Sequence, residues 1–262
     1  EIHERLVGSE MCIRDRALVA AIAVVVSGSC LVLGSFQGII ENAPDIASVN
    51  VSPEGFATKI YDSDENEIQT LSSAGANRTY VTIDQIPKDL QHAFIAIEDE
   101  RFYEHNGIDM RGILRAASIT LSSGEMSQGA STITQQLLKN NVFNAFNEST
   151  IEKIKRKVQE QYLAIKLETV MSKDAILENY LNTINLGNGY YGVQSAARGY
   201  FNKDVSELSI SECAVIASIT KSPTGLNPIR HADRNKDRQS QVLLNMKEQG
   251  YISQEAVSYT HL

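Results

Sequence analysis

The feature that most constrains this chain is a run without one charged residue, from Ala17 to Ile40. At ~1.5 Å rise per residue a helix of that length crosses a hydrocarbon core of ~30 Å. The run is expected to be a retained membrane anchor: Ser27-Gly28-Ser29 looks like a cleavage site, but the apolar stretch continues well past it. Arg14 and Arg16 precede it while Glu41 and Asp45 follow, which predicts a single-pass protein of the cell membrane with a cytoplasmic N-terminus and an extracytoplasmic bulk. The extreme ends read differently. Leu6 to Arg16 (LVGSEMCIRDR) and Val257 to Leu262 (VSYTHL) resemble read-through of sequencing adapters, so residues 1–16 and 257–262 are expected to be non-native. On that reading the two arginines drop out of the topology argument and the apolar run remains.

A net charge of −8 argues against nucleic acid as a partner, so any anionic ligand must be met by local Lys and Arg clusters. With 42% apolar residues the chain can form one substantial domain and an accessory segment. Cys12, Cys30 and Cys213 make no disulfide framework. Residues 41–83 read as a linker with short strands at Ala57 to Tyr61 and Thr79 to Ile83. Residues 84–256 read as a mainly helical domain without repeats, zinc spacing, phosphate loop or nucleophile elbow.

Within that domain the stretch Ala93 to Asp109 is the most informative. Leu90, Phe94 and Ile97 form the apolar stripe of a helix that Pro87 is placed to start, and Glu98, Asp99 and Glu100 follow at its end. Burial and two acidic neighbours disfavour an ionised Glu98, making it a candidate base; the plainer reading is a solvated acidic turn. Ile113, Leu114, Ala117 and Leu121 predict a second helix packed on the core, with membrane contact as the other reading. Gly129 to Asn140 crowds uncharged hydrogen-bonding groups at a helix start, with Ser131 as the expected cap. Such a surface suits hydroxyls, amides and phosphate oxygens of a sugar-like ligand.

Ser149 and Glu152 form a capping box opening a long helix whose expected core stripe is Ile151, Ile154, Val158, Tyr162 and Ile165. Arg156 and Lys157 lie one turn before Glu160 and should hold it ionised, the reverse of Glu98's situation. A merely solvated face is the alternative. Ser172 to Ile184 reads as a further helix stopped near Gly187, and Ser209 with Glu212 opens a buried one. A polar helix from Ala232 to Gln249 ends at Gly250.

These residues match a known pattern. Glu98-Asp99-x-x-Phe102-x-x-His105-x-Gly107, then Gly129-Ala-Ser131-Thr132-Ile-Thr134-Gln135-Gln136-Leu-x-Lys139-Asn140, Arg156-Lys157-x-x-Glu160, and the block from Tyr180-Leu-Asn182 to Phe201 resemble the ordered motifs of peptidoglycan glycosyltransferases, the transglycosylase domain of class A penicillin-binding proteins (glycosyltransferase family 51). The resemblance runs from about Ala57 to Ile252. Asn185-Leu186 and Thr224-Gly225-Leu226 depart from it, standing where that family is usually more aromatic.

The resemblance implies a lysozyme-like helical domain over residues 84–256 that polymerises lipid II, with lipid II, the growing glycan strand and the membrane as partners, alongside other cell-wall synthesis proteins. It implies Glu98 as general base and Glu160 as a second catalytic carboxylate. Asp99, Phe102, His105, Gly107, Ser131, Thr132, Gln135, Gln136, Lys139, Asn140, Arg156, Lys157 and Asn182 would bind substrate. No cofactor is required; a divalent cation, Mg or Mn, is compatible with Glu160. A lysozyme-like or lytic glycan-cleaving enzyme is the alternative, and a silent membrane-anchored precursor-binding protein the next. Transpeptidation is not indicated, because no Ser-x-x-Lys is followed here by its downstream partners; a transpeptidase domain is expected to lie beyond these residues.

Overall fold

The computed structural model describes residues 2–56, 58–71, 77–123, 129–143 and 148–260. Residues 1, 57, 261 and 262, on which parts of the expected first strand and end segments fall, lie outside it. α1 runs from Ile2 to Glu41 and carries the apolar run. Its apolar window is wholly unburied, and it is long and apolar enough to cross a membrane.

The linker holds one antiparallel hairpin, β1 (Thr58–Tyr61) with β2 (Glu67–Leu71), in register Thr58 to Leu71 and with a bulge after Ile60. Residues 79–83, where a second strand is expected, form none. Instead Arg78 makes an isolated bridge to Tyr191, and the linker is pinned by side chains. Asn182 accepts from the Val81 N–H at 3.0 Å and donates to its carbonyl at 2.8 Å, while Glu178 accepts from the Ile83 N–H at 2.6 Å. Val81 is buried by these contacts.

Two sets of helices follow. In the first, α2 (Lys88–Glu98) lies against α8 (Ile210–Ser218) and α9 (Ala232–Glu248). In the second, α4 (Ile133–Asn141) lies against α5 (Thr150–Val170) and α6 (Lys173–Thr183). α7 (Val193–Phe201) packs on α6 and α8, and α10 (Gln254–Thr260) closes on α9. The sets meet where Phe94 of α2 and Tyr180 of α6, both fully buried, pack edge to face at 6.1 Å. Cys213 is buried in the same core, and burial pushes its thiol up to about 12, so it is an inert apolar group.

Most helix starts fall where their caps predict. Ser149 with Glu152 and Ser209 with Glu212 form both halves of their capping boxes, Ser172 caps α6, and Gly250 takes φ +78 after α9. Two apolar stripes lie elsewhere than expected. On α5 the buried residues are Glu160, Leu163, Ala164 and Leu167, whereas Ile151 and Ile154 are 67% and 58% exposed. On α3 (Met110–Ser123) Leu114 and Leu121 are likewise exposed. Periodicity finds an apolar face but does not say what covers it.

Arg101 ties the entry to α3, donating to both oxygens of Asp109 at 3.2 and 2.6 Å. That pair holds the Asp109 carboxyl below the usual carboxylate range. A lowered folded-state pKa gives stability that is complete above the ordinary value of about 3.9 and is lost as pH falls through the lowered one. Asp109→Asn is therefore expected to destabilise the chain by about 1 kcal/mol at pH 7 and by less below about pH 4, as read by denaturant titration across pH.

Candidate active site

Glu98 is the last residue of α2, at the seam between the two helix sets. Its side chain is partly exposed, and each oxygen has a partner from a different set. Gln136 Nε2 of α4 donates to Oε2 at 2.9 Å, and the Thr220 hydroxyl, in the helical turn Ile219–Lys221 after α8, contacts Oε1. The Gln136 amide is oriented by Tyr180, whose hydroxyl donates to Gln136 Oε1 at 3.4 Å. Burial raises the Tyr180 phenol well above its ordinary range, and the charges of Glu98 and Asp99 add to this, so it stays a donor.

The acidic neighbours do not crowd Glu98 as the sequence suggests. Asp99 is buried, accepts from the Ile133 N–H at 2.9 Å and sits 3.0 Å from His105 Nε2. It thereby leaves the C-terminal end of α2, where a carboxylate is unfavourable, for the N-terminal end of α4, where it is favourable. Glu100 faces Arg101 and Arg115.

Behind this lies a wall of buried polar groups. Thr132, and not Ser131, caps α4: its hydroxyl oxygen accepts from the Gln135 N–H at 3.2 Å. Thr132 and Gln135 both donate to the Gly107 carbonyl, at 2.8 and 3.1 Å. Gly107 takes φ +85, and a Cβ there would lie 2.5 Å from the Ala164 backbone. Phe102 is fully buried against Tyr103 and His105, with Lys173 Nζ 4.4 Å from its ring centre. Of the residues expected to bind substrate, Asp99, Phe102, Gly107, Thr132, Gln135 and Asn182 are buried.

The second carboxylate is fully buried. Arg156 donates to Glu160 Oε1, and Lys157 Nζ donates to Oε2 at 2.7 Å and to the Ser131 hydroxyl at 3.1 Å. Arg156 also meets both oxygens of Glu148, at 2.8 and 2.9 Å. Burial alone would lower the Arg156 guanidinium, but its bonds to Glu148 and Glu160 carry it above its ordinary value. Both Glu160 oxygens point at cations, and no three His, Cys, Asp or Glu side chains converge among the described residues.

Glu98 and Glu160 are joined through the start of one helix. Gln136 reaches Glu98, and Ser131, five positions earlier, reaches Lys157 and so Glu160. Lys139 and Asn140 are exposed and lie three and four residues beyond Gln136, on its face of α4. α4 and the residues before it thus connect a partly exposed Glu98, through Gln136, with Lys157, through Ser131, and carry exposed Lys139 and Asn140. Sequence reasoning gave no site role to three residues near these carboxylates, although one of them, Arg238, belongs to the stretch that carries the resemblance. Thr220 lies in an apolar stretch with nothing to mark it, and Glu148 lies eight residues before Arg156. Arg238, half-buried on α9, is lowered by burial while the Glu98 charge opposes the effect, and its Nε is buried without a partner.

The family model described as transglycosylase matches residues 64–247. The chain belongs to the transglycosylase family. It is 42% identical over 243 residues to penicillin-binding protein 1A of Escherichia coli (strain K12), covering 93% of this chain and 28% of that protein. With penicillin-binding protein 1F of Bacillus subtilis (strain 168) the identity is 45% over 203 residues, covering 77% and 28%. With penicillin-binding protein 1A of Aquifex aeolicus (strain VF5) it is 42% over 217 residues, covering 83% and 29%. This transglycosylase chain therefore spans less than a third of these relatives.

Arg156→Ala would leave the fully buried Glu160 with Lys157 alone. The expected loss is about 3–5 kcal/mol of stability, read by denaturant unfolding of the detergent-solubilised chain.

Proposed function

We propose that this transglycosylase is a peptidoglycan glycosyltransferase that polymerises lipid II by inverting transfer, with release of undecaprenyl pyrophosphate. The observation that carries this reading is a partly exposed Glu98 bonded to Gln136 of α4, with Lys157 bonded to Ser131 just before the same helix and Lys139 in its last turn. Cleavage of a glycan needs an acid glutamate but no cations for a departing pyrophosphate. Glu98 takes the proton from the acceptor sugar's 4-hydroxyl as that oxygen attacks the anomeric carbon of the growing strand. Lys157 and Lys139, the exposed cations, meet the charge that develops on the pyrophosphate. Glu160 acts through Arg156 and Lys157, fixing where their charges sit.

Thr220 suits both protonation states of Glu98. Its hydroxyl contacts Glu98 Oε1 and also lies 2.9 Å from the Ala217 carbonyl, and it has one hydrogen for the two. With Glu98 ionised the hydrogen points at the carboxylate. Once Glu98 has taken a proton, the hydroxyl turns its hydrogen to Ala217 and accepts from Glu98.

The setting agrees with a lipid substrate. On this reading α1 is the membrane anchor, with a cytoplasmic N-terminus and the domain outside; its last turns rest on α5, where Gln159 donates to the Ile39 carbonyl at 3.1 Å. Exposed Ile151 and Ile154 on α5 and Leu114 and Leu121 on α3 present apolar surface for hydrocarbon. Anchoring both enzyme and substrate in one bilayer raises their effective concentration.

The test is incubation of the detergent-solubilised chain with labelled lipid II. Parent protein is expected to give polymer, and Glu98→Gln to lose about 10²–10⁴-fold in rate. Thr220→Val is expected to lower kcat by about tenfold with little change in KM, losing roughly one hydrogen bond to the base. Full activity of Glu98→Gln, or cleavage of finished glycan in place of polymerisation, overturns the reading.

A further inference from the structure

A cavity of about 230 Å³ opens beside the groove, between the loop of residues 185–192 and the segment 222–230. Its floor is rigid. Gly187 takes φ +80, and a Cβ there would lie 2.6 Å from the Pro223 carbonyl, so the two walls touch. Asn227, buried beneath, holds one wall by accepting from the Ile229 and Arg230 N–H groups at 3.0 Å each. The loop is closed by bonds from the Leu186 N–H to the Tyr190 carbonyl, the Tyr190 N–H to the Gly187 carbonyl, and the Gly192 N–H to the Ile184 carbonyl. Asn188 is held at φ 51, a left-handed conformation that asparagine tolerates better than most residues.

The lining has one sign of charge. Arg230 is exposed, and among the described residues no carboxylate pairs with it; no Asp or Glu lines the cavity. Asn185, Asn188 and Thr224 supply neutral hydrogen-bonding groups, and Tyr191 an aromatic wall backed by Arg78, whose guanidinium carbon lies 5.4 Å from the ring centre. The cavity lies close to the base. Thr220, which contacts Glu98, precedes Pro223 by three residues, a span of at most about 11 Å. Its volume falls below the ~300–1,000 Å³ of sites that enclose a whole small ligand. It suits one unit of a larger substrate.

We propose that this cavity is a subsite for a carboxylate-bearing unit of the acceptor glycopeptide, with Arg230 as the recognising cation and Asn185, Asn188 and Thr224 meeting its amides. The proposal rests on the glycan-polymerising reading above. It adds a substrate contact beyond the reacting sugars: an acidic substituent held here positions the acceptor against Glu98.

The test is calorimetric titration of the detergent-solubilised chain with N-acetylmuramoyl-L-alanyl-D-isoglutamine, with D-alanyl-D-alanine, and with neutral chitotetraose. The muramoyl dipeptide is expected to bind saturably, and Arg230→Gln to weaken it by about tenfold, the loss of one charge-assisted contact. Thr224→Tyr, which fills the cavity, is expected to abolish binding with an unchanged melting temperature. D-Alanyl-D-alanine binding with the same Arg230 dependence assigns the carboxylate to the far end of a peptide; a requirement for the muramoyl group assigns it to the sugar-proximal end. No saturable binding, equal affinity in Arg230→Gln, equal binding of chitotetraose, or equal competition by inorganic phosphate overturns the proposal. Glu98→Gln is expected to keep the affinity for the muramoyl dipeptide, so failure of the base assignment and failure of this subsite are read separately.

Discussion

The carboxylate of Asp99 accepts from the first helical N–H of α4 and meets the His105 ring, and the geometry of the groove depends on that junction. One residue earlier, Glu98 projects from the end of α2 toward Gln136 and Thr220. Asp99 anchors the backbone where α2 ends, and the Glu98 side chain is then held by its own partners, Gln136 and Thr220. The polar wall behind them serves the same end. The Gly107 carbonyl takes two donors from α4, and only a residue without a side chain can bring it that close to α5.

Electrostatics divides the site into two regimes. Around Glu160 a carboxylate with no exposed surface is matched by two cations, one of which is matched again by Glu148. Such a cluster gives little net stability compared with apolar packing, but it fixes charges in space at a high penalty for disturbing them. Around Glu98 the partners are neutral: an amide, a hydroxyl and, behind the amide, a phenol that burial keeps protonated. For the proposed role of Glu98 as a base, neutral groups that can reorient suit a change of protonation state better than fixed ions do. The half-buried Arg238 guanidinium is the nearest exception, influencing Glu98 without an ion pair to it.

Much of this was legible in the sequence. Serine followed three residues later by glutamate marked two helix starts because both halves of that pattern satisfy backbone donors locally. The charge environment of Glu160 was legible because residues one turn apart on a helix must meet. What was hidden depends on contacts distant along the chain. Nothing near Thr220 shows that it will stand beside a glutamate 122 positions earlier. The apolar stripe of α5 was assigned to the core because periodicity does not distinguish one apolar surrounding from another. Polarity likewise did not separate groove residues from wall residues: Gln136 and Gln135 are neighbours, yet one reaches Glu98 and the other is buried on a carbonyl.

The contact between the end of α1 and the middle of α5 bears on how this molecule works at a surface. Gln159, whose amide bonds to the Ile39 carbonyl, is adjacent in sequence to Glu160. Whatever layer holds α1 therefore lies against the helix that carries Glu160 and its two cations. A substrate carried in that layer would arrive with its headgroup already level with the charges meant to receive it, and sideways drift would be the only search left to make.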